Sequence, residues 1–168
     1  MKKAVLAAFF VSALLSLCPA QAYAFDVDGF KDGALKEDIR KLLSGRGNKV
    51  KESPGSDGLL LDTYGGDTKT SSYGFWFCKD SFVALQKGVE PTMKNFIFYY
   101  NEFVNKFGKP VNGAVKFKQG TKGEEEYRKI EFIWQDGKEQ VSLAYIAGSG
   151  NIADSLSITY ETANDCGY

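Results

Sequence analysis

Residues 126–146 read EYRKIEFIWQDGKEQVSLAYI, and this stretch contains the clearest fold signal in the chain. Apolar and polar residues alternate on both sides of Asp136-Gly137, a dipeptide that is typical of tight turns between antiparallel strands. The pattern predicts a hairpin with strands over 126–134 and 139–146. One apolar face is predicted from Ile130, Phe132, Trp134, Val141, Leu143 and Tyr145. Because the other face carries polar residues, we expect it to be wet.

Five further segments have strand patterns. Strands either alternate or form short apolar runs between turn residues. By this criterion we predict strands over 58–64, 73–78, 82–87, 114–118 and 155–160. Residues 53–58 and 79–81 are predicted as turns, and the glycine-rich segment 65–72 is predicted as a long polar loop.

Two segments have the 3.6-residue apolar period of helices that pack on a core. The first helix is predicted to end at Gly45, and the second to run from Pro91 to Gly108. The apolar stripe of the first consists of Leu35, Ile39, Leu42 and Leu43. That of the second consists of Met93, Phe96, Ile97, Tyr100, Phe103, Val104 and Phe107. We interpret the second stripe as core, and a ligand-binding groove is the alternative.

These elements predict an α+β protein in which two helices pack on an antiparallel β-sheet. Each half of the chain has the same order of elements, namely a helix, a glycine stop and three or four strands. The halves would span residues 25–88 and 89–168, and they share no clear residue-by-residue repeat. We therefore predict one secreted domain over residues 25–168, with a tandem of two such units as the finer hypothesis.

Residues 1–24 have the pattern of a secretory signal peptide. Two lysines precede an apolar run over residues 4–17, and small residues stand at the −3 and −1 positions of a cleavage site after Ala24. Lipid attachment at Cys18 is an alternative. Lipoprotein signals place a small residue directly before that cysteine, however, and Leu17 is not small. We predict a periplasmic or secreted protein.

The charge of the mature chain argues against two classes of partner. Cleavage after Ala24 would leave 144 residues with 19 basic and 21 acidic side chains. The net charge would be about −2, without a block of like charges, so we expect no binding of nucleic acid or of an anionic membrane. The remaining apolar runs are shorter than a bilayer requires, and no transmembrane segment is predicted in the mature chain.

Cys78 and Cys166 are the two cysteines that remain after cleavage. An even number of cysteines in an oxidising compartment indicates a disulfide. A metal site would need further ligands, but the chain has no histidine and no second cysteine near Cys78. A cysteine nucleophile would lack its usual imidazole base. We therefore predict a Cys78–Cys166 disulfide, with no metal site and no cofactor.

Catalytic and ligand-binding motifs are weak in this sequence. The lack of histidine excludes triads that use an imidazole base. Segment 65–70 lacks the Gly-Lys-Ser/Thr order of a phosphate loop, and segment 26–29 lacks the spacing of a calcium loop. We interpret 26–29 as the acidic start of the first helix. Carboxylates from distant strands are the remaining route to a hydrolase. The sequence indicates no such pair, so we predict that the protein is not an enzyme.

Short motifs give the chain a resemblance to a group of small secreted bacterial proteins. They are GFKDGALKEDIRKLL at 29–43, FVNKFGKP at 103–110, and the closing strands from WQDGK at 134–138 to ITY at 158–160. In these motifs the chain is similar to the fold shared by the β-lactamase inhibitor protein and the small outer-membrane assembly lipoproteins. The resemblance spans most of residues 29–160 and implies a binding fold without catalytic residues. The chain departs from the lipoprotein branch because it lacks a convincing lipobox.

We predict a non-catalytic binding or interaction module whose partner is a protein in the cell envelope. The alternatives are an inhibitor of a secreted hydrolase, which the resemblance suggests, and a carboxylate-based hydrolase. The candidate partner site is the loop 65–72 with its flanking Tyr64 and Tyr73, together with Trp76 in the next strand. Exposed tyrosine and tryptophan side chains are frequent binding hot spots.

The exposed face of strand 73–78 is left open by the sequence. Alternation puts Tyr73, Phe75 and Phe77 on one face, and Trp76 with Cys78 on the other. If the Trp76 face is exposed, its indole is available to a partner. Packing of Trp76 over the disulfide is the alternative.

Overall fold

The computed structural model describes residues 25–46, 49–55, 58–64, 73–118, 127–148 and 153–166. Two helices lie in this part of the chain, α1 (Lys36–Gly45) and α2 (Met93–Phe107). The strands are β1 (Asp26–Val27), β2 (Phe30–Lys31), β3 (Lys49–Gly55), β4 (Gly58–Tyr64), β5 (Tyr73–Cys78), β6 (Ser81–Val89), β7 (Asn112–Lys118), β8 (Tyr127–Asp136), β9 (Glu139–Gly148) and β10 (Ser155–Thr162). The predicted signal peptide and the predicted loop 65–72 lie outside the described residues.

Strands β3 to β10 form one antiparallel sheet in the order β3-β4-β5-β6-β10-β9-β8-β7. β6 and β10 pair at its centre, and β3 and β7 lie at its two ends. β1 and β2 form a separate two-stranded sheet. The predicted fold class, α+β with two helices and an antiparallel sheet, is confirmed.

The predicted hairpin is present, with β8 and β9 joined by a two-residue turn. Its central residues are Gly137 and Lys138, because Asp136 pairs with Glu139 at the end of the ladder. The Asp136-Gly137 signal thus lies at the turn, with Asp136 as the last paired residue of β8 and Gly137 as the first residue of the turn. Gly137 has a φ of 58°, and glycine takes this left-handed conformation at the first position of a hairpin turn without strain.

The N-terminal segment and the region around 53–58 also differ from the sequence predictions. Asp28 and Gly29 have φ values of 54° and 81° and form the two-residue turn between β1 and β2. Segment 26–29 is thus part of a hairpin and not the start of a helix. The predicted turn over 53–58 was too long, because β3 continues to Gly55 at the edge of the sheet. An edge strand tolerates Pro54, which has no N–H group for a ladder.

β5 and β6 form a hairpin with an irregular ladder. Lys79 and Asp80, whose φ values are 48° and 66°, make its two-residue turn. The register shifts between Trp76 and Phe77, which leaves Val83 as the extra residue on β6. Such a bulge bends the strand that carries it. The turn is one residue shorter than the predicted 79–81.

Two clusters of buried apolar side chains lie on one face of the sheet, which we call the helix face. The first cluster is Phe25, Phe30, Ile39, Leu43, Phe75, Phe77, Phe82 and Leu85. The second is Phe96, Phe103, Trp134, Val141, Leu143, Leu156 and Ile158. Tyr160 packs against both and joins them at the centre of the sheet. Leu85 and Val141 lie directly opposite Tyr160 on the neighbouring strands, so both clusters share this face. We call the opposite face the outer face.

The predicted helix stripes are buried only in part. Phe96 and Phe103 of α2 are buried, as the core interpretation requires. Met93 and Ile97 are 48% and 51% exposed, so that interpretation was wrong for these two residues. Leu35 precedes α1 and is also exposed. Among the residues described here, no helix combines the length and the apolar character that a membrane span needs.

The Cys78–Cys166 disulfide is present, as predicted. It joins the end of β5 to the tail that follows β10, across a sequence separation of 88 residues and a Cα–Cα distance of 5.8 Å. Cross-links over loops of this length restrict the unfolded chain strongly. Structural disulfides are typical of proteins in oxidising compartments.

Candidate functional site

The residues predicted as a partner site lie in different environments. Residues 65–72 and the side chain of Tyr64 lie outside the described part of the chain. Tyr73 is half-buried and packs against the first core cluster on the helix face. Trp76 is half-buried next to the fully buried Phe75, so alternation places it on the outer face. The structure therefore separates Tyr73 from Trp76, and the binding role of these residues stays a prediction.

Tyr73 has a packing role that the sequence analysis did not assign. Its ring centroid lies 5.6 Å from that of Phe30 and 6.1 Å from that of Phe75. Its hydroxyl donates a 2.7 Å hydrogen bond to Oδ2 of Asp28 in the β1–β2 turn. Through these contacts Tyr73 of β5 connects the β1–β2 hairpin to the large sheet.

Asp28 is the centre of a polar cluster that also contains Tyr73, Lys87 and Arg46. Its Oδ2 accepts hydrogen bonds from Tyr73 and, at 2.8 Å, from Nζ of Lys87. Arg46 donates to the Asp28 carbonyl oxygen at 2.7 Å, and its guanidinium lies 4.8 Å from the ring centroid of Phe30. Charge-assisted hydrogen bonds of this kind are shorter and stronger than neutral ones.

The protonation states in this cluster are fixed by its own contacts. Partial burial alone would raise the pKa of Asp28. The hydrogen bonds from Lys87 and Tyr73 and the positive charges of Lys87 and Arg46 lower it by more than burial raises it, so the pKa lies below its ordinary value. Burial lowers the pKa of Lys87, and the contact with Asp28 more than restores it. Burial and the hydrogen bond to Asp28 raise the pKa of Tyr73. The three groups hold one another in their ordinary charge states, which favours a structural anchor over an acid–base pair.

Glu139 is the buried charged residue of the described chain. It is 7% exposed, and no described group makes a hydrogen bond to its Oε1. Burial raises the pKa of this carboxyl above its ordinary value, Lys106 opposes the shift, and Asp136 and Asp32 add to it. A buried acceptor without a partner destabilises the folded state. Glu139 is therefore a source of instability in the fold and not a sign of a catalytic site.

Among the side chains that the structure describes, the exposed apolar ones concentrate on α2 and around β7. The large hydrophobic residues that are exposed in the described structure are Leu35, Met93, Ile97, Phe98, Val111, Val115 and Phe117. All but Leu35 belong to α2, to β7 or to the residues next to β7. Single exposed apolar residues are ordinary on protein surfaces, but a contiguous group of them marks an interaction site. We call Met93, Ile97, Val115 and Phe117 the α2–β7 surface.

The position of α2 explains why these side chains are exposed. Phe96 lies 6.2 Å from Phe132 of β8 and 6.0 Å from Tyr145 of β9, and Phe103 lies 5.3 Å from Trp134 of β8 (ring centroids). α2 thus covers β8 and β9 and stops short of β7, the terminal strand. The second edge of β7 is unpaired within the described residues.

Helix geometry turns Met93 and Ile97 of α2 toward β7. Tyr99 packs on Phe103, whose ring in turn contacts Tyr160 on the central strand β10. Met93 and Ile97 lie one turn apart, on the side of the helix opposite Tyr99, because each residue rotates the side chain by about 100°. They therefore border the part of the helix face that ends at β7.

The side chains of β7 divide by face. Val115 lies directly opposite Ile130, which packs against the second core cluster, so Val115 is on the helix face. Phe117 shares that face, and the Arg128 guanidinium lies 5.7 Å from its ring centroid. Lys116 lies between them and points to the outer face, where it is exposed. β7 is therefore an amphipathic edge strand, apolar on one side and basic on the other.

Gly113 gives this strand a close contact with β8. A Cβ atom at position 113 would lie 2.8 Å from both Cδ1 and Cε1 of Phe132. The Phe132 ring therefore covers the space next to Gly113 that a side chain at this position would fill. The result is an aromatic surface beside Val115 on the helix face.

Comparison of the chain with protein-family models, with curated proteins and with solved structures gave no match. The fold and the surface thus define the class as an α+β protein with an eight-stranded antiparallel sheet and an apolar terminal strand.

Proposed function

We propose that this protein is a non-catalytic binding module that holds a protein partner on the α2–β7 surface. The observation that supports the proposal is the exposure of Val115 (78%) and Phe117 (57%) on the helix face of a terminal strand, together with that of Ile97 (51%) on α2. Burial of one such side chain stabilises a complex by about 1.5–3 kcal/mol. Phenylalanine and its apolar neighbours form the kind of cluster on which binding energy concentrates.

The edge position strengthens this argument. Monomeric proteins usually protect terminal strands with bulges, prolines or covering loops, because an unpaired edge invites pairing with another chain. β7 pairs with β8 over seven consecutive residues without a shift of register. β7 carries Lys116, a residue type that also protects edges, but Val115 and Phe117 remain exposed beside an edge that is unpaired within the described residues, and a partner that covers them would account for this.

The strand order of the large sheet supports the hypothesis that the chain is a tandem of two similar units. The strand order β3-β4-β5-β6 in one half mirrors β7-β8-β9-β10 in the other about the β6–β10 pair, and each half contributes one helix. This supports two units of one helix and four strands in succession, joined through their last strands. The resemblance to the β-lactamase inhibitor fold implies the same tandem, and inhibition of a secreted hydrolase is the narrower form of the proposed binding function.

We place the module in the periplasm or outside the cell, with its partner in the cell envelope. The Cys78–Cys166 disulfide supports an oxidising compartment. The predicted signal peptide over residues 1–24 supports export. Mass spectrometry of the exported protein checks this placement, because free thiols or a lipid on Cys18 would contradict it.

Site-specific photo-crosslinking tests the binding function. A photoreactive amino acid replaces Val115 in one variant and Ile97 in another, and the exposed Glu102 of α2 serves as the matched control position. We expect one discrete adduct from positions 115 and 97 and none from position 102. The adduct should be lost when Phe117→Ser is combined with the probe at 97.

The stability of each variant separates binding from folding. Because Val115 and Phe117 are exposed, their replacement by serine should change the free energy of unfolding by less than about 0.5 kcal/mol. A discrete adduct at position 102 that matches those at 97 and 115, or no adduct at all, would contradict the proposal.

A further inference from the structure

We propose that the partner binds as an extended segment in which acidic and apolar residues alternate, and that this segment adds to the unpaired edge of β7. The inference rests on the proposed function and specifies the chemistry of the partner. It follows from three features of β7, namely its open backbone, its two-faced pattern and its charge.

The backbone of β7 is prepared for another strand. In an antiparallel ladder alternate residues direct their N–H and C=O groups away from the neighbour. β7 has β8 on one side, and on the other its outward groups are unpaired within the described residues. A peptide that adds to such an edge gains a row of main-chain hydrogen bonds, and alternate side chains provide specificity.

Because the side chains of β7 alternate between two faces, the residues of a partner strand beside it must also alternate in character. Gly113, Val115 and Phe117 lie on the helix face, and Lys116 lies on the outer face. Neighbouring strands place their side chains on common faces about 4.8 Å apart. The partner therefore needs apolar residues on the helix face, against Val115 and Phe117, and different residues on the outer face.

Charge selects acidic residues for the outer face of the partner. Lys116 is exposed there, and its direct neighbour on β8 is a second lysine, Lys129. Lys129 forms a 2.8 Å ion pair with Glu131, two residues along β8 on the same face, so the charge of Lys129 already has a partner and that of Lys116 faces the open edge. Opposite charges on adjacent strands stabilise a sheet, and like charges destabilise it. An acidic residue next to Lys116 completes the alternation of charge.

The same charge argues against a second copy of this chain as the occupant. Two β7 strands that paired edge to edge would bring the Lys116 residues of both copies onto one face. Lysine on an edge strand is a common device against self-association. An acidic segment of another protein has the complementary charge.

Peptide binding to the full chain, measured by fluorescence anisotropy, tests the inference. The probe is a labelled nine-residue peptide of alternating Glu and Val. Its comparisons are a Lys/Val peptide and an N-methylated Glu/Val peptide that cannot form main-chain hydrogen bonds. We expect the Glu/Val peptide to bind with a Kd on the order of 100 μM, weaker at higher salt, and both comparison peptides to bind at least about tenfold less tightly.

Charge-reversal variants localise the binding. Lys116→Glu should weaken binding of the Glu/Val peptide by about fivefold or more. Lys138→Glu, in the exposed β8–β9 turn, is the matched control and should change binding less than about twofold. Equal binding of all three peptides, no binding, or equal effects of the two variants would overturn the inference. A dimer that sedimentation detects, and that Val115→Ser dissolves, would show that a second copy occupies the edge.

The outcomes distinguish this inference from the proposed function. If crosslinks form at positions 97 and 115 while Lys116→Glu and N-methylation have no effect, the surface binds a partner that is not an added strand. If no crosslink forms at either position, the proposed function itself fails.

Discussion

Replacement of Glu139 by glutamine should stabilise the protein at neutral pH. Glu139 is 7% exposed and its Oε1 has no hydrogen-bond partner among the described residues. A buried polar atom without a partner destabilises a protein by about 1–3 kcal/mol, with larger values for charged groups. Lys106 offsets part of this penalty by its positive charge. Glutamine keeps the shape and removes the charge, so we expect the free energy of unfolding to rise by about 1 kcal/mol at pH 7.

The effect should depend on pH in a direction set by the pKa. Burial raises the pKa of Glu139 in the folded protein above its ordinary value of 4.5. The stability of the wild type relative to Glu139→Gln is therefore highest when this carboxyl is protonated, below pH 4.5. It falls as the pH rises through the folded-state pKa. Glutamine does not titrate. The advantage of Glu139→Gln should thus be present at pH 7 and largely absent at pH 4.

Urea unfolding followed by tryptophan fluorescence measures this difference. The exposed Glu102→Gln on α2 is the matched control, and it should change stability by less than about 0.3 kcal/mol at either pH. If Glu139→Gln is destabilising at pH 7, or if its effect is the same at pH 4, the carboxylate has a partner and the reasoning is wrong.

Three further substitutions test the fold. Gly113→Ala should destabilise by about 1–3 kcal/mol in urea unfolding, because the new Cβ would lie 2.8 Å from two atoms of the Phe132 ring. Replacing both Cys78 and Cys166 by serine should cost about 2–5 kcal/mol, and reductant should lower the Tm of the wild type alone. Asp28→Asn removes a carboxylate that two side chains contact and should destabilise by about 1 kcal/mol at pH 7. Its pKa is lowered in the folded state, so this loss should be present above pH 3.8 and disappear as the pH falls further.

For each of these three predictions there is a result that would contradict it. Gly45→Ala at the end of α1 introduces a Cβ with no atom within 4 Å, so it should not destabilise, and an equal loss at positions 45 and 113 would rule out the contact with the Phe132 ring as the cause. A double serine variant as stable as the wild type would mean that the cross-link does not restrict the unfolded chain. An Asp28→Asn effect that does not shrink as the pH falls below 3.8 would not come from the carboxylate charge.

The fold class was predictable because its signals are local. The alternation through Trp134 and Val141 specifies a buried face for each strand, and the turn at Gly137 joins them in register. The helices follow from their 3.6-residue period. The position of Cys166 beside Cys78 was predictable for a different reason, since residues 25–168 contain no other cysteines.

The N-terminal hairpin was missed because its signal competes with another. An acidic segment before an amphipathic stripe is typical of a helix start, but Asp28-Gly29 is also a preferred two-residue hairpin turn. The contacts that decide between them are distant in sequence. Asp28 binds Tyr73 and Lys87, and only the folded sheet brings these three residues together.

The α2–β7 surface could not be located from the sequence for the same reason. Val115 and Phe117 stand two residues apart on a strand, just as Phe132 and Trp134 do, yet the first pair is exposed and Trp134 is buried. The difference depends on where α2 lies, and that is set by packing across the sheet. One local signal does distinguish them. The lysines that flank Phe117 are typical of an edge strand.

The Asp28 cluster and the β7 edge differ in what a ligand could bind without disturbing the fold. The carboxylate of Asp28 already accepts hydrogen bonds from two side chains, so a ligand there would have to displace contacts that hold the fold. The edge of β7 has outward backbone groups that are unpaired within the described residues, and apolar side chains that a ligand can cover without displacing a hydrogen bond of the described fold. A substitution at Asp28 should therefore reduce stability and leave binding at β7 unchanged while the protein is folded, whereas Lys116→Glu should reduce binding alone. This pattern separates residues that hold the fold together from those that contact the partner.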